Sequence, residues 1–361
     1  MSPARKIAIV QRFLPGASRG GVGHFTHGLA NELVSRGHRV TIYSQDPRPS
    51  SALYEVTELP WAGRGRWARL APLAFPFQIS RVDFSGFDLV HAQGDDQLLR
   101  RSGQPPVVRT LHGSSLREAV HNGWRRGSPL RALMFMHFYL GELVSDLRAD
   151  RVVAVSRNTG RDFPRVHAVI PNGVDVRRLA PDGTPKASRP TILFVGELDT
   201  RKRGRLLLRT IETEVRPRVP TVQVWVVSPE RVDGPGIEWY GQVDEDRLAG
   251  LYRAAWLLCL PSSYEGFGRP YVEALAAGTV AVGTRNVGAL EVLEDGRDGF
   301  VVSDRALGET LYRVLTDAAL REELIRRGLA RAQAFAWSRV AEQYEGLYDR
   351  VLGKPDDVRA S

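Results

Sequence analysis

Short apolar runs that alternate with amphipathic helical segments constrain the fold of this chain more than any other feature. In its first half, runs suited to strands lie at residues 7–10, 40–43, 88–91, 107–111, 152–155 and 166–170. The helix after the first run repeats its apolar residues at three- and four-residue spacing, at Val22, Phe25, Leu29 and Leu33. Because continuous apolar strands are buried on both faces, the pattern predicts parallel sheets covered by helices.

The pattern stops and then restarts, which predicts two domains. Residues 180–190 are rich in proline, glycine, threonine and serine and are typical of a linker. Beyond them, apolar runs recur at residues 191–195, 222–227, 257–260 and 279–282, with helical segments at 205–215 and 306–352. We therefore expect an α/β protein with two Rossmann-like, doubly wound domains of similar size. Ligands of such sheets bind at the carboxyl ends of strands, so we expect the site in a cleft where the domains face each other.

The charge of the chain favours some partners over others. Its 50 lysine and arginine residues exceed its 41 aspartate and glutamate residues, for a net charge of +9. Without zinc-finger spacing or an aromatic RNA-binding signature, this charge does not predict a nucleic-acid partner. It suits an anionic small molecule such as a nucleotide diphosphate, or an anionic membrane surface.

Cysteine usage and hydropathy indicate the compartment. The single cysteine, Cys259, lies in an apolar run, which predicts a buried, unreactive thiol and excludes an internal disulfide framework. No apolar segment approaches the roughly 18 residues that span a bilayer, and the chain passes from Lys6 directly into a strand rather than into a signal peptide. We expect a cytoplasmic protein.

A glycine-rich stretch, Gly20, Gly21 and Gly23, separates the first strand from its helix. Glycines let a ligand approach the backbone closely, and the free amides at a helix start favour an anion. A dinucleotide fingerprint would need glycine where Thr26 stands, three residues after Gly23. The stretch alone leaves open a tightly packed turn, an NAD site, or another phosphate or sugar contact.

The segment PSSYEGFGRPYVEAL, which runs from a strand end into a helix, carries a more specific pattern. Pro270 suits the first turn of the helix, which places Glu265 in the loop and Glu273 inside the helix. Gly266 and Gly268 allow bare amides to face a ligand. In an alternative interpretation, Glu265 caps the helix and Glu273 lies on a solvated face. That alternative does not explain why two carboxylates bracket a glycine-rich loop after a buried strand.

These motifs resemble those of the retaining GT-B glycosyltransferases of the large "group 1" family, which includes bacterial mannosyl-, glucosyl- and N-acetylglucosaminyltransferases. The segment that contains Glu265 and Glu273 is the family's most specific mark. The other matching segments are the glycine stretch at 20–23, DLVHA at 88–92, TLHG at 110–113, IPNGVD at 170–175, FVG at 194–196, RKR at 201–203 and FAWS at 335–338. The resemblance covers nearly the whole chain.

The resemblance implies a domain organisation and a set of ligands. It implies an acceptor-binding domain at residues 1–180, a nucleotide-sugar-binding domain at 181–336, and a C-terminal helix at 337–361 that crosses back to the first domain. The donor is expected to be a nucleotide sugar, with UDP ahead of GDP and dTDP because UDP is the commonest donor nucleotide. The acceptor is expected to be a natural product, a lipid or a glycan. Neither a metal ion nor a cofactor is implied.

The resemblance also implies roles for individual residues. Lys202 neutralises the leaving diphosphate, Glu265 positions the transferred sugar, and His112 contacts that sugar from the other domain. Glu273 binds the ribose hydroxyls. The remaining donor-binding residues are Gly21 near the diphosphate, Arg201, Val243 at the base, and Gly266, Phe267 and Gly268 around the sugar.

One position departs from the family pattern. A leaving diphosphate gains negative charge, which a fixed cation stabilises in the transition state. The family usually has arginine directly after Gly196, whereas this chain has Glu197. Either Arg201 or Arg203 replaces that arginine, or Glu197 turns away from the diphosphate.

Two functions other than that of a glycosyltransferase stay open at this point. They are an NAD-dependent oxidoreductase and a nucleotide-sugar-binding protein without turnover.

Two further segments, residues 61–70 and 130–147, do not belong to the motifs above. Residues 61–70 mix tryptophan with arginine, which predicts a solvated surface helix or, alternatively, a weak peripheral membrane contact. Residues 130–147 predict a long helix whose segment 134–139 belongs to the core, with no metal-ligand partner spaced from His137.

Overall fold

The computed structural model describes residues 3–15, 21–60, 71–120 and 128–353. The chain divides into two compact units, one comprising Met1–Gly173 with Trp337–Ser361 and the other Val174–Ala336. The boundary therefore lies after Gly173, ahead of the proline- and glycine-rich stretch that the sequence indicated as the linker.

The described strands form two parallel sheets. The first unit contains β1 (Lys6–Val10), β2 (Arg39–Ser44), β3 (Glu55–Glu58), β4 (Leu89–Ala92), β5 (Val107–Leu111), β6 (Arg151–Ala154) and β7 (Ala168–Val169). The second contains β8 (Thr191–Val195), β9 (Gln223–Val227), β10 (Ile237–Gly241), β11 (Leu257–Leu260), β12 (Val280–Thr284) and β13 (Phe300–Val302). The strand orders are β3-β2-β1-β4-β5-β6-β7 and β10-β9-β8-β11-β12-β13. Each sheet thus has a switch point, between β1 and β4 and between β8 and β11.

Helices cover both sheets. They are α1 (Gly21–Ser35), α2 (Ala71–Ser80), α3 (Ser115–Glu118), α4 (Pro129–Arg148), α5 (Arg157–Gly160), α6 (Val176–Leu179), α7 (Gly204–Thr210), α8 (Glu245–Ala254), α9 (Arg269–Ala276), α10 (Val287–Val292), α11 (Leu307–Thr316), α12 (Ala318–Ala332) and α13 (Trp337–Val351). A π-helical turn, Ile211–Val215, continues α7, and short 3₁₀ turns lie at Glu294–Gly296, Asp304–Ala306 and Gln333–Phe335. Within the described ranges, no helix has both the length and the apolar character needed to cross a membrane.

The strands that the apolar runs did not predict lie at sheet edges. β3, β10 and β13 consist of half-buried or exposed residues, whereas the central strands are buried. β3 and β10 carry polar residues at solvated positions, so they lack the continuous apolar run by which a central parallel strand is recognised, whereas β13 is apolar but only three residues long.

The last helix, α13, belongs to the first unit and packs against α1. Phe25 of α1 lies 5.6 Å from the Trp337 ring and 6.2 Å from the Tyr344 ring, measured between centroids. Glu345 is 5% exposed and accepts hydrogen bonds from Arg36 at 2.6 Å and from Nε2 of His38 at 2.9 Å. A buried ion-paired cluster therefore joins α13 to the end of α1.

Candidate active site

The loops after β8 and β11 lie side by side because these strands are neighbours at the switch point of the second sheet. The backbone N–H of Ser263 donates to the carbonyl of Arg201 at 2.9 Å, and Nε of Arg203 donates to the carbonyl of Pro261 at 2.6 Å. The carboxyl ends of strands at such a switch point form the crevice in which α/β proteins bind ligands. Two of the predicted site segments therefore meet where a ligand crevice is expected.

Glu265 is the centre of a charged cluster in this crevice. Its buried carboxylate accepts from Lys202 Nζ at 2.8 Å, from Arg201 Nη1 at 2.7 Å and from Ser262 Oγ at 2.8 Å. Burial by itself raises the pKa of Glu265, but the charges and hydrogen bonds of Lys202 and Arg201 outweigh burial and lower that pKa. Glu265 is therefore ionised at neutral pH. The cap of α9 is Gly268, so the alternative in which Glu265 caps this helix is wrong.

Two glycines allow the cluster to form. Gly196, directly after β8, has φ = +142°, and a Cβ there would lie 2.9 Å from Cγ of Lys202. A Cβ on Gly288, in the first turn of α10, would lie 2.8 Å from Cβ of Glu265 and 2.8 Å from the carbonyl oxygen of Phe267. These distances are shorter than packed carbon atoms tolerate, so a side chain at either position would displace the cluster.

The structure distinguishes between the two arginines offered by the sequence in place of the family's usual one. Arg203 donates to Thr284 Oγ1 at 2.9 Å and to Asp304 Oδ2 at 2.7 Å, so its guanidinium connects the end of β12 with the residues that follow β13. Arg201, like Lys202, donates a hydrogen bond to the Glu265 carboxylate. Glu197 is exposed. The second cation of the cluster is therefore Arg201.

Glu273 lies in α9 and is buried, with 9% of its surface exposed, so the alternative of a solvated face is wrong. Its Oε2 accepts from the Tyr252 hydroxyl at 2.9 Å, and its Oε1 accepts from Nε of Arg269 at 2.7 Å. Burial and the charge of Glu273 raise the pKa of Tyr252, so the hydroxyl stays protonated as a donor. These contacts hold the carboxylate in one orientation while each oxygen keeps a second acceptor site.

The other predicted donor-binding residues of this unit lie near α9 or farther along the sheet. Gly266 is half-buried, and Gly268 adopts φ = +91° as the residue before α9. Phe267 is buried, and its ring centroid lies 5.7 Å from that of Phe335. Val243 is half-buried in the loop between β10 and α8, so it follows an edge strand rather than a strand of the switch point.

The first unit contains the remaining predicted residues. Gly21 is the first residue of α1, and His112 follows β5 directly. Nε2 of His112 donates to Oε1 of Gln93 at 2.7 Å, and the His112 ring lies 4.7 Å from that of Phe25. Burial, followed by the charge of Arg109, lowers the pKa of His112 to about 3. The imidazole is therefore neutral at pH 7 and offers a hydrogen bond rather than a positive charge.

A chain of hydrogen bonds that the sequence analysis missed connects His112 with α13. The side-chain amide of Gln93 donates to Nε2 of His91 at 3.0 Å, and Nδ1 of His91 lies 2.8 Å from the Tyr348 hydroxyl. Burial lowers the pKa of His91 to about 3. The available signal was a histidine inside a strand that is buried on both faces, because a buried polar side chain requires partners.

Gly20 and residues 61–70 lie outside the described residues. Residues 130–147 form α4 as predicted, but Met134 is 44% exposed and His137 is also exposed. The prediction that segment 134–139 belongs to the core holds for Tyr139, which packs against the core, and is wrong for Met134 and His137, which lie on the outer face of α4.

Within the described part of the chain, no group of three or more histidine, cysteine, aspartate or glutamate side chains is placed to hold a metal ion. Of the adjacent pair Asp95 and Asp96, the second is ion-paired with Arg109. The fixed positive charge beside Glu265 is supplied by Lys202 and Arg201.

Two family descriptions match this chain. "Glycosyltransferase Family 4" matches residues 19–178, and "Glycosyl transferases group 1" matches residues 189–317. The chain belongs to the group 1 glycosyltransferases. This membership confirms the family predicted from the two-glutamate segment.

Proteins that are similar to this chain in sequence are named as glycosyltransferases. The phosphatidyl-myo-inositol mannosyltransferase of Mycobacterium tuberculosis (strain ATCC 25618 / H37Rv) is 28% identical over 378 residues, which cover 95% of this chain and 96% of that protein. The D-inositol 3-phosphate glycosyltransferase of Corynebacterium jeikeium (strain K411) is 26% identical over 395 residues, which cover 92% of each. The group 1 glycosyltransferase described here is thus similar to these proteins over almost its whole length.

Solved structures confirm the predicted fold. Sucrose-phosphate synthase from Thermosynechococcus elongatus has a TM-score of 0.76 and 22% identity, covering 97% of this chain and 99% of that one. The Anabaena protein HepE, in complex with UDP and glucose, has a TM-score of 0.71 and 17% identity, covering 94% and 98%. The fold of this glycosyltransferase is GT-B, with two Rossmann-like α/β domains.

Proposed function

We propose that this glycosyltransferase is a retaining, metal-independent enzyme that transfers a hexose from a nucleotide sugar, with a UDP-sugar as the expected donor. The observation that carries the proposal is the cluster of Glu265, Lys202 and Arg201 at the switch point of the second sheet. Two cations around one carboxylate leave an excess of positive charge. That excess stabilises a diphosphate as its bond to the sugar breaks, which is the role a divalent cation has in other enzymes.

The donor is held by the residues around α9. Glu273 accepts the two ribose hydroxyls through the acceptor sites that Tyr252 and Arg269 leave open. The N-terminal end of α9 carries the partial positive charge of the helix dipole and favours electronegative oxygens of the donor. Val243 contacts the base through its backbone.

Glu265 positions the sugar rather than attacking it. Its Oε1 accepts from Lys202 and from the Ser262 hydroxyl, and its Oε2 accepts from Arg201, which fixes the carboxylate and leaves one acceptor site on Oε2 for a sugar hydroxyl. In the retaining step, the acceptor oxygen bonds to the anomeric carbon on the face from which the diphosphate leaves. The acceptor proton passes to the leaving phosphate oxygen. His112 supplies a neutral hydrogen-bonding group to the same sugar.

The names of similar proteins guide the choice of acceptor. They include phosphatidyl-myo-inositol and D-inositol 3-phosphate as groups that are glycosylated. We therefore propose a lipid or inositol-bearing acceptor ahead of a natural product or a polysaccharide.

A thermal-shift panel of UDP, GDP, dTDP and ADP tests the donor assignment. A nucleotide at 100 times its dissociation constant adds about 2.7 kcal/mol, which raises the melting temperature of a chain of this length by about 3–4 °C. The sugar derivatives of the best nucleotide are then tested for hydrolysis and transfer, with the product anomer read by NMR. No shift with any nucleotide would refute donor binding, binding without hydrolysis or transfer would identify a nucleotide-sugar-binding protein, and an inverted product would refute retention.

A further inference from the structure

Helix α4 of the first unit presents a row of apolar side chains to solvent. Each of them is between 44% and 78% exposed, and we call them the α4 stripe: Leu130, Leu133, Met134, Leu140, Val144 and Leu147. The opposite face of α4 packs into the core of the first unit through Tyr139 and Leu143. A contiguous row of exposed apolar side chains marks an interaction site, so the outer face of α4 is suited to contact another surface.

The charges of α4 are distributed unevenly between its two faces. Arg131 and Arg148 are exposed beside the α4 stripe. Both acidic residues of the helix are turned inward: Glu142 accepts from the Ser115 hydroxyl at 2.6 Å, and Asp146 is fully buried. The outer face of α4 therefore combines apolar and basic side chains without an exposed carboxylate.

Further positive charge lies at the C-terminal end of the stripe. Arg148 donates to the carbonyl of Leu99 at 2.8 Å, and Arg165 donates to the carbonyl of Leu147 at 2.8 Å. A carbonyl group carries no net charge, so the contact of Arg148 fixes its guanidinium group in place without neutralising it. Arg100, the residue after Leu99, is exposed as well.

We propose that the α4 stripe docks this protein on the surface of an anionic lipid bilayer. From Leu130 to Leu147 the helix rises about 26 Å, enough for its leucines to enter the acyl boundary along one line in the membrane plane. The arginines beside the stripe then lie at the level of the lipid phosphates. This contact is independent of residues 61–70 and of the donor chemistry proposed above.

The charge distribution favours a bilayer over a second copy of the chain. Pairing of two α4 stripes would bring Arg131 and Arg148 of both copies to one interface. Neither helix would offer an exposed carboxylate to pair with them. Anionic lipids supply the missing negative charge, so they complement the basic residues while the acyl chains cover the leucines.

Vesicle co-sedimentation of the full chain tests the apolar part of the proposal. The vesicles are equimolar phosphatidylcholine and phosphatidylglycerol, with phosphatidylcholine alone for comparison. The double variant Leu133→Gln/Leu140→Gln is expected to bind anionic vesicles at least about tenfold more weakly than wild type, because each leucine loses its transfer into an apolar medium. Leu53→Gln, at a 56% exposed leucine elsewhere in the first unit, is the matched control and leaves binding unchanged.

The electrostatic part is tested on the same vesicles. Arg131→Gln/Arg100→Gln is expected to weaken binding several-fold, and Arg177→Gln, at an exposed position of the second unit, is the control. Raising the salt to about 1 M shortens the screening length to about 3 Å and weakens wild-type binding in the same direction. Unchanged circular dichroism spectra and melting temperatures show that the variants are folded.

A fluorophore on Leu133→Cys reports the depth of the helix, because the natural Cys259 is buried and does not react. A blue shift with anionic vesicles supports the proposal, and Leu53→Cys serves as the control. Three outcomes overturn it: no binding to anionic vesicles, equal binding to phosphatidylcholine alone, or a dimer in solution that Leu133→Gln/Leu140→Gln converts to a monomer.

Discussion

Replacing Glu273 by alanine tests the donor site most directly. In the structure its two oxygens each accept one internal hydrogen bond, from Tyr252 and from Arg269, and each keeps one further acceptor site. If those sites bind the ribose hydroxyls, Glu273→Ala removes a charged contact worth about 1.5–3 kcal/mol. The dissociation constant for the nucleotide should then rise about 10- to 150-fold. Isothermal titration with UDP, or with the nucleotide that gives the largest thermal shift, measures this change.

The same substitution also removes internal contacts, so stability must be measured beside affinity. The buried Tyr252 hydroxyl loses its acceptor, at a cost of about 1–3 kcal/mol. Tyr252→Phe is the matched control, since it removes this hydrogen bond and leaves the carboxylate in place on Arg269. We expect Tyr252→Phe to change nucleotide affinity far less than Glu273→Ala does.

Two results would refute the ribose role. One is a folded Glu273→Ala protein that binds nucleotide as tightly as wild type. The other is a Tyr252→Phe protein that loses as much affinity as Glu273→Ala, because the effect would then come from the packing of α9. Since the ribose does not change during transfer, the loss in Glu273→Ala should raise the Michaelis constant, whereas Glu265→Ala should lower the turnover number.

Other perturbations test separate features. Gly288→Ala places a Cβ 2.8 Å from Glu265 and should weaken nucleotide binding in titration, with a stability loss of about 1–3 kcal/mol; wild-type affinity would contradict the packing argument. Glu345→Ala leaves the buried Nε2–H of His38 without its acceptor and should cost about 1–3 kcal/mol in urea unfolding, whereas no measurable loss would contradict the role of this cluster. Burial lowers the pKa of His91 in the folded protein to about 3, so between about pH 6.5 and 3 the unfolded chain binds a proton that the folded one does not. The free energy of unfolding therefore falls as the pH falls through this window, by about 2 kcal/mol between pH 7 and pH 5. His91→Gln should lose correspondingly less stability between pH 7 and 5, and an unchanged loss would contradict this. Transfer should survive EDTA, and restoration by magnesium or manganese of activity lost to EDTA would contradict the role of Lys202.

Local patterns of the sequence determined the architecture of this protein. Apolar runs separated by helical segments identified the central strands, because a strand buried on both faces has to be apolar along its whole length. Pro270 located the start of the helix that carries Glu273, because proline is tolerated in a first turn. The edge strands β3 and β10 escaped detection because solvation leaves them without such a pattern.

Only the tertiary structure decided which side chains act together. That Arg201 rather than Arg203 shares Glu265 with Lys202 depends on how the loops after β8 and β11 approach each other. The hydrogen-bond chain from His112 reaches α13, which lies more than 200 residues further along the chain. Six apolar side chains of α4 lie on its exposed face, so periodicity alone did not show which of its apolar residues are buried. Periodicity reports local geometry, whereas these contacts join residues far apart in the chain and arise only when the sheets and helices pack.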